Sequence, residues 1–339
     1  MKIAFYINKS VYGGGQRVLI TLVREFVKRN IDTIVYTRQK EFDKNVVPCK
    51  INFIDTSVNP FLQIVRLAND LKKEKVGKII VFGCDTVVFA ATKIANVKYV
   101  YSLRVDPLQI NFKKFTYKYI INHCHKIVFQ TRKVQNYFKE SIKRKSCVIP
   151  NPILDENLPD IQTNRQKKIV LVARLSEEKN IEMAIRAFAK THNNDFKFHI
   201  YGVGEQMDYL KKLTHDLNIN QYVIFEGYVS RVIDYIKDAE ILLLTSNFEG
   251  MPNALIEGMA MGLACISTDF PSGAAHDLID NGVNGIIVPM NDVDCLADKL
   301  QYLIDNPDER RSIQSAAIEI RQKQNIDIIV DRWINFIKD

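Results

Sequence analysis

The sequence predicts an α/β protein made of two Rossmann-like units, and three observations predict it. Short β-rich runs alternate with stretches of helical pattern along the chain, the signature of parallel sheets joined by crossover helices. The alternation is interrupted once, at Ile149-Pro150-Asn151-Pro152-Ile153 and the polar stretch 155–168, and then restarts. At roughly 100–200 residues per domain, the 339 residues supply two cores.

The first unit opens with residues 2–8, a short apolar run read as a buried strand. Strands at 33–37, 51–54, 78–82, 98–103, 126–130 and 147–149 follow, with helices such as 16–28, 61–73 and 112–121 between them. Pro150 and Pro152 bracket Asn151 and hold an extended segment, so this is the expected interdomain connection. The second unit then has strands at 169–173, 197–201, 223–225, 241–245, 265–268 and 285–288, and helices at 181–190, 206–217, 253–261 and 292–303. The expected domains are 1–152, 153–322 and a C-terminal helix, 323–339, that carries the chain's one tryptophan, Trp333, and can pack back on the first domain. Two such units imply parallel sheets facing across a cleft, with ligands beyond the carboxyl ends of the strands.

Composition narrows the function classes. With 47% hydrophobic and 25% charged residues the chain is an ordinary globular protein. No run approaches the ~20 apolar residues of a spanning helix. The N-terminal run is too short for a signal-peptide core and lacks a small-residue cleavage site, so a cytoplasmic location is the expectation. The six cysteines form no CxxC pair and read as reduced thiols. His123-Cys124-His125 is followed by no second ligand set at a zinc spacing, so no metal site is expected there. The net charge of +8 admits nucleic acid, an anionic membrane or a phosphorylated substrate, and does not choose among them.

Four strand–loop–helix junctions carry chemistry. Gly13-Gly14-Gly15 follows the first strand and precedes a helix. It reads either as a tight turn or as a loop that lets backbone N–H groups approach an anion. It is neither GxGxxG nor a P-loop. Ala173-Arg174-Leu175-Ser176-Glu177-Glu178-Lys179-Asn180 places two cations five residues apart, either on a solvated loop or around one anion whose charge grows as a bond breaks. The most specific stretch runs from Ser246 to Gly258. Glu249 lies in its loop, Pro252 suits a first helical turn and Glu257 lies further along the helix. Such carboxylates can each accept hydrogen bonds from two adjacent hydroxyls, as a sugar or a ribose offers. The apolar neighbours Met259, Ala260, Met261 and Leu263 argue against an exposed Glu257. The fourth junction is Pro271-Ser272-Gly273-Ala274-Ala275, with turn signals at Asn281-Gly282 and Asn284-Gly285. Tyr201-Gly202-Val203-Gly204-Glu205 resembles a dinucleotide loop but has Met207 in place of the third glycine, so no dinucleotide cofactor is expected.

In these residues the chain resembles glycosyltransferase family 4, retaining enzymes of the GT-B fold, and within it bacterial polysaccharide-building members. The carriers are Gly13 to Val18, Arg174 to Asn180, Phe248-Glu249-Gly250-Met251-Pro252, the Glu249/Glu257 pair and Asn281 to Gly285, spread over nearly the whole chain. The resemblance implies a metal-independent, retaining transfer, by front-face attack, of a sugar from a UDP-type donor to a glycan or lipid-linked acceptor in cell-surface polysaccharide synthesis. It implies that Arg174 and Lys179 hold the donor diphosphate and that Glu249, with backbone around Gly250, Met251, Pro252 and Asn253, holds the donor sugar. Glu257 would bind the ribose, and Gly14 and Gly15 would lie against the donor phosphates or the acceptor. Many relatives have a histidine after the strand at 98–103, where this chain has Arg104-Val105-Asp106-Pro107. Arg104 and Asp106 are therefore the acceptor-side candidates, although Asp106-Pro107 also reads as a helix-starting turn.

Residues 110–126 mix lysines with aromatics as an interfacial helix does, and suggest a peripheral contact with an anionic membrane; an ordinary amphipathic helix with a solvated basic face fits the same pattern. No nucleic-acid-binding motif is present. A GT-B-fold sugar-nucleotide epimerase and a non-catalytic sugar-nucleotide-binding relative remain as alternatives.

Overall fold

Strands that are apolar on both faces need a covering layer on each, and both units of this chain supply one. The computed structural model describes residues 2–7, 14–39, 46–104, 115–154, 158–192 and 195–338. The chain divides into one unit of Met1–Leu154 with Ile326–Asp339 and a second of Asp155–Asn325.

The first unit contains β1 (Lys2–Ile7), α1 (Gly14–Lys28), β2 (Thr33–Thr37), β3 (Lys50–Phe53), α2 (Pro60–Lys73), β4 (Val76–Phe82), α3 (Thr86–Ala95) and β5 (Lys98–Ser102). It continues with α4 (Phe115–His123), β6 (Lys126–Phe129), α5 (Arg132–Asn136), α6 (Glu140–Lys143) and β7 (Ser146–Val148). The strands pair in parallel in the order β3-β2-β1-β4-β5-β6-β7. Alternate side chains divide between two cores. Ala4 and Tyr6 of β1 pack with Ile79 and Val81 of β4 beneath α2 and α3, while Ile3, Phe5 and Ile7 pack with Val18, Leu22 and Phe26 of α1. Side-chain caps fix the helix starts: Asn59 accepts from Leu62 N, and Asp85 accepts from Val87 N and Val88 N.

The second unit contains β8 (Lys168–Val172), a 3-10 turn at Glu177–Lys179, α7 (Ile181–Lys190), β9 (Lys197–Tyr201), α8 (Met207–Asp216), β10 (Val223–Gly227), α9 (Ile233–Ile236) and β11 (Ile241–Leu244). Then follow α10 (Asn253–Ala260), β12 (Ala264–Thr268), α11 (Ala274–Leu278), β13 (Ile286–Val288), α12 (Val293–Asp305), α13 (Pro307–Ala317) and α14 (Ile320–Lys323). Its sheet is also parallel, in the order β10-β9-β8-β11-β12-β13. Ile169, Leu171, Phe198 and Ile200 meet Ile181, Ile185 and Phe188 of α7 in one core. On α10, a Cβ at Gly258 would lie 2.6 Å from Leu242 Cδ1, so the missing side chain lets this helix sit close on β11.

The chain ends in α15 (Ile326–Lys338), which belongs to the first unit. Its Ile329, Val330, Trp333, Ile334 and Ile337 join the α1 core, and Trp333 is 0% exposed. Lys126 Nζ donates to Phe336 O at 2.6 Å, and Lys78 Nζ donates to Ile337 O. The boundaries after Leu154 and Asn325 lie slightly beyond the 152 and 322 expected from sequence. The expected helix at 112–121 is described from Phe115 and runs to His123. Helix α13 has no counterpart in the sequence expectation.

Candidate active site

In each sheet the strand order reverses at one point, between β1 and β4 in the first unit and between β8 and β11 in the second. Loops leaving the two strands on either side of a reversal part from each other, which makes that edge of a parallel sheet a ligand site.

In the second unit the loop after β8 carries Arg174 and Lys179, and the loop after β11 carries Glu249. Lys179 Nζ donates to Glu249 Oε1 at 2.8 Å, and Ser246 Oγ donates to the same oxygen at 2.7 Å. Both ends of the ion pair are largely buried, at 17% and 14% side-chain exposure. Arg174 is exposed and pairs with Glu178 Oε1 at 2.7 Å, while Lys179 Nζ lies 4.0 Å from that same oxygen. The two cations of this loop therefore flank one carboxylate oxygen, with Lys179 shared between Glu178 and Glu249.

The two loops are joined by further hydrogen bonds. Asn180 takes the left-handed conformation (φ 45°) that ends the 3-10 turn and starts α7, a position asparagine tolerates. Its Nδ2 donates to Asn247 Oδ1 at 3.2 Å and to Asn291 Oδ1 at 2.9 Å. Thr245 Oγ1 donates to Lys179 O at 3.1 Å, and Asn247 N donates to Glu178 O at 2.9 Å. The loop after β12 adds Ser272, whose Oγ donates to Gly250 O at 3.0 Å, and Thr268 Oγ1 donates to Ser246 O at 2.7 Å. Met251 and Pro252 are buried, and Asn253 begins α10 half-buried. Glu257 stands one turn into α10 and is 2% exposed, which rules out an exposed helix acid.

Sequence reasoning missed what supports the Arg174 loop. A Cβ on Gly202 (φ 141°) would fall 1.8 Å from Ala173 O, and one on Gly204 would fall 2.2 Å from Leu175 O. Leu175 N donates to Val203 O and Gln206 N to Leu175 O, both at 3.0 Å. The glycine pair that resembles a dinucleotide loop is thus a seat for the cation loop.

In the first unit Gly14 and Gly15 open α1 and are exposed, and a Cβ on Gly15 would meet nothing within 4 Å. In the same unit Tyr6 Oη donates to Asp85 Oδ2 at 2.6 Å, and Arg38 Nε donates to Tyr6 Oη at 2.9 Å. Burial, with Asp85 alongside, pushes the Tyr6 hydroxyl far above its usual range. Sequence reasoning missed this brace; the one local signal is Asp85 before Thr86, a helix-start pair that marks the cap and not its partners. Arg104 follows β5: its Nε donates to Ser102 Oγ at 2.9 Å, its Nη1 donates to Asn151 Oδ1, and its guanidinium lies 4.0 Å from the Phe82 ring centre. Burial lowers its pKa to about 9. Asp106 lies outside the described residues.

Cys124 packs in the core with its Sγ directed to Ile121 O, and among the described residues no group of three or more His, Cys, Asp or Glu is placed to hold a metal ion. All six cysteines are free thiols. Among the described residues no helix is long and apolar enough to cross a membrane.

Two doubly wound parallel units with cation- and carboxylate-bearing loops at a switch point have the GT-B architecture, and the comparisons agree. Residues 155–320 match the family described as Glycosyl transferases group 1. An uncharacterized glycosyltransferase of Haemophilus influenzae is 25% identical, over 98% of both chains. The N-acetylgalactosamine-N,N'-diacetylbacillosaminyl-diphospho-undecaprenol 4-alpha-N-acetylgalactosaminyltransferase of Campylobacter jejuni is 26% identical over 93% of both. The crystal structure of Anabaena Alr3699/HepE in complex with UDP superposes with a TM-score of 0.86 at 17% identity, covering 100% of both chains. This chain is a glycosyltransferase of the GT-B fold.

Proposed function

We propose that the chain is a retaining, metal-independent glycosyltransferase of family 4. It moves a hexose-type sugar from a UDP-linked donor to a glycan or lipid-linked acceptor in cell-surface polysaccharide synthesis. The observation that carries this reading is the position of Glu178 Oε1, 2.7 Å from Arg174 Nη2 and 4.0 Å from Lys179 Nζ. A donor phosphate oxygen arriving there would meet two cations already in place. Fixed positive charge acts most strongly where negative charge develops, on the phosphate oxygen that leaves with the nucleoside diphosphate. Arg174 and Lys179 would fill the role a divalent ion has in other transferases.

In the proposed reaction the acceptor hydroxyl attacks the anomeric carbon from the face that the diphosphate leaves. The carbon–phosphate-oxygen bond breaks, the carbon–acceptor-oxygen bond forms, and the hydroxyl proton passes to the departing phosphate oxygen. Glu249, released from Lys179, accepts hydroxyls of the donor sugar with Gly250, Met251, Pro252 and Asn253 around it. Glu257 serves the ribose. Gly14 and Gly15 leave room for a phosphate or the acceptor near the α1 N-terminus. The UDP bound by the Anabaena structural neighbour and the diphospho-undecaprenol in the name of the Campylobacter relative support the donor and acceptor classes.

The test is a panel of UDP-, GDP- and other activated sugars with free nucleotide measured in the presence of EDTA, and product anomers read by NMR. Release from one donor with retained configuration is the expected result; inverted configuration, or turnover abolished by EDTA, would overturn the corresponding part of the reading. For the proposed peripheral membrane contact, the support is α4, where Phe115 (79% exposed) stacks on Tyr119 (45% exposed) and Tyr119 on His123. Flotation with anionic vesicles, and none with neutral ones, is the expected result.

A further inference from the structure

Among the described residues Arg104 is a charge without a countercharge. Its partners are neutral: the Ser102 hydroxyl, the Asn151 side-chain carbonyl, the Phe82 ring and, 5.8 Å away, the Trp333 ring. No carboxylate pairs with it among the described residues. Its Nη2 is buried and makes no hydrogen bond, and the indole Nε1 of Trp333 is also buried with no acceptor. Asn151 Oδ1 is occupied, since Gln130 Nε2 donates to it at 2.7 Å in addition to Arg104. Two donors of one neighbourhood are thus unused.

Holding a guanidinium away from water without a countercharge is unfavourable, and burial accordingly lowers its pKa. A planar guanidinium flanked by aromatic faces matches the paired oxygens of a phosphate or carboxylate better than an ammonium does. The location fits a ligand as well. Arg104 leaves the carboxyl end of β5, which pairs with β4 at the strand-order reversal.

We propose that Arg104 is the receptor for an oxyanion carried by the acceptor, so that the acceptor is a phosphate- or carboxylate-bearing glycan rather than a neutral one. This rests on the reading of the chain as a glycosyltransferase with Arg104 on its acceptor side. The chain carries one tryptophan, so Trp333 reports on this site directly.

The experiment titrates the full chain with inorganic phosphate, inorganic pyrophosphate and glucuronate while recording tryptophan emission. A saturable response is expected, at the lowest concentration for the phosphates if the group is a phosphate and for glucuronate if it is a carboxylate. Arg104→Gln should abolish the response. Arg104→Lys, which keeps the charge and loses the fork, should weaken it at least tenfold. Lys179→Ala should leave it intact, which separates the site from the proposed donor phosphate site in the second unit. Thermal melting confirms that each variant is folded. No response of the wild-type chain to any of the three probes overturns the proposal, as does an Arg104→Gln titration that matches wild type. Donor turnover, measured separately, tells failure of this inference from failure of the transferase reading.

Discussion

Glu249→Gln should have opposite effects on nucleotide binding and on turnover. In the free protein Lys179 is bound to Glu249 at 2.8 Å, and the carboxylate oxygen is also held by Ser246 at 2.7 Å. If Lys179 is to take a donor phosphate, that charge-assisted bond has to open first. A hydrogen bond to a charged group contributes about 1.5–3 kcal/mol and one between neutral groups about 0.5–1.5 kcal/mol. Glutamine keeps the shape and an acceptor oxygen but loses the negative charge; the bond stays charge-assisted through the lysine ammonium, so the bond that UDP must displace is weaker by about 1 kcal/mol. At 1.4 kcal/mol per decade, UDP should bind the variant about fivefold more tightly. Turnover of the sugar donor should fall at least about tenfold, because the carboxylate that engages the sugar as its bond breaks is gone. Isothermal titration with UDP and steady-state nucleotide release measure the two effects. Equal or weaker UDP affinity in a folded Glu249→Gln protein would refute partner exchange at Lys179.

Gly204→Ala brings a methyl to within 2.2 Å of Leu175 O, so the loop carrying Arg174 has to move; we expect about 1–3 kcal/mol of lost stability in a thermal melt, together with weaker donor binding. Glu257→Ala should weaken UDP binding by roughly 1.5–3 kcal/mol if its carboxylate holds the ribose, and unchanged affinity by titration would remove that role. Burial pushes the thiols of Cys49 and Cys124 up to about 11 and those of Cys84 and Cys147 up to about 12. Because the thiolate is the reactive form, alkylation of these four in the native protein at pH 8 should run at least about a hundredfold slower than in denaturant, and accelerate as pH rises toward 11. Mass spectrometry of iodoacetamide-treated protein checks this, and equal native and denatured rates would contradict the burial.

The central strands were legible because they are short apolar runs that no helical pattern explains. The run Ile241 to Leu244 can only be buried on both faces, and it is. Helix α13 escaped because part of its inward face is polar. Arg310 and Gln314 are buried, and their side chains reach Glu240, at 3.2 Å from Arg310 Nε and 2.8 Å from Gln314 Nε2. A hydrophobic period cannot report a helix anchored through a guanidinium and an amide. At the site, residue types were legible and pairings were not. Arg174, Lys179 and Glu249 could be picked out by kind and spacing, but nothing local says that Lys179 bonds a residue 70 positions away while Arg174 turns to Glu178. Gly202 and Gly204 were misleading in isolation, since their constraint is the backbone of a neighbouring loop.

The strand order is what turns these separate loops into one site. Adjacent parallel strands lie about 4.8 Å apart, so the loops leaving β8, β11 and β12 emerge side by side. Their backbone carbonyls are satisfied by hydroxyls from the next loop: Lys179 O by Thr245, Ser246 O by Thr268 and Gly250 O by Ser272. These bonds involve no group that a phosphate or a sugar must displace, so the loops can stay in register while a ligand binds. The contact between Lys179 and Glu249 differs in kind. Both partners are charged, and each has an alternative partner in the proposed donor, phosphate oxygen for the lysine and sugar hydroxyls for the carboxylate. Opening it exchanges one charge-assisted set for another, at little net cost. Neither partner is then left buried and unpaired, which would cost more than the pair contributes. A donor that offered a phosphate without a sugar would satisfy Lys179 and strand Glu249, so the pair favours ligands that carry both groups. The same arrangement predicts that free UDP binds less tightly than the intact UDP-sugar.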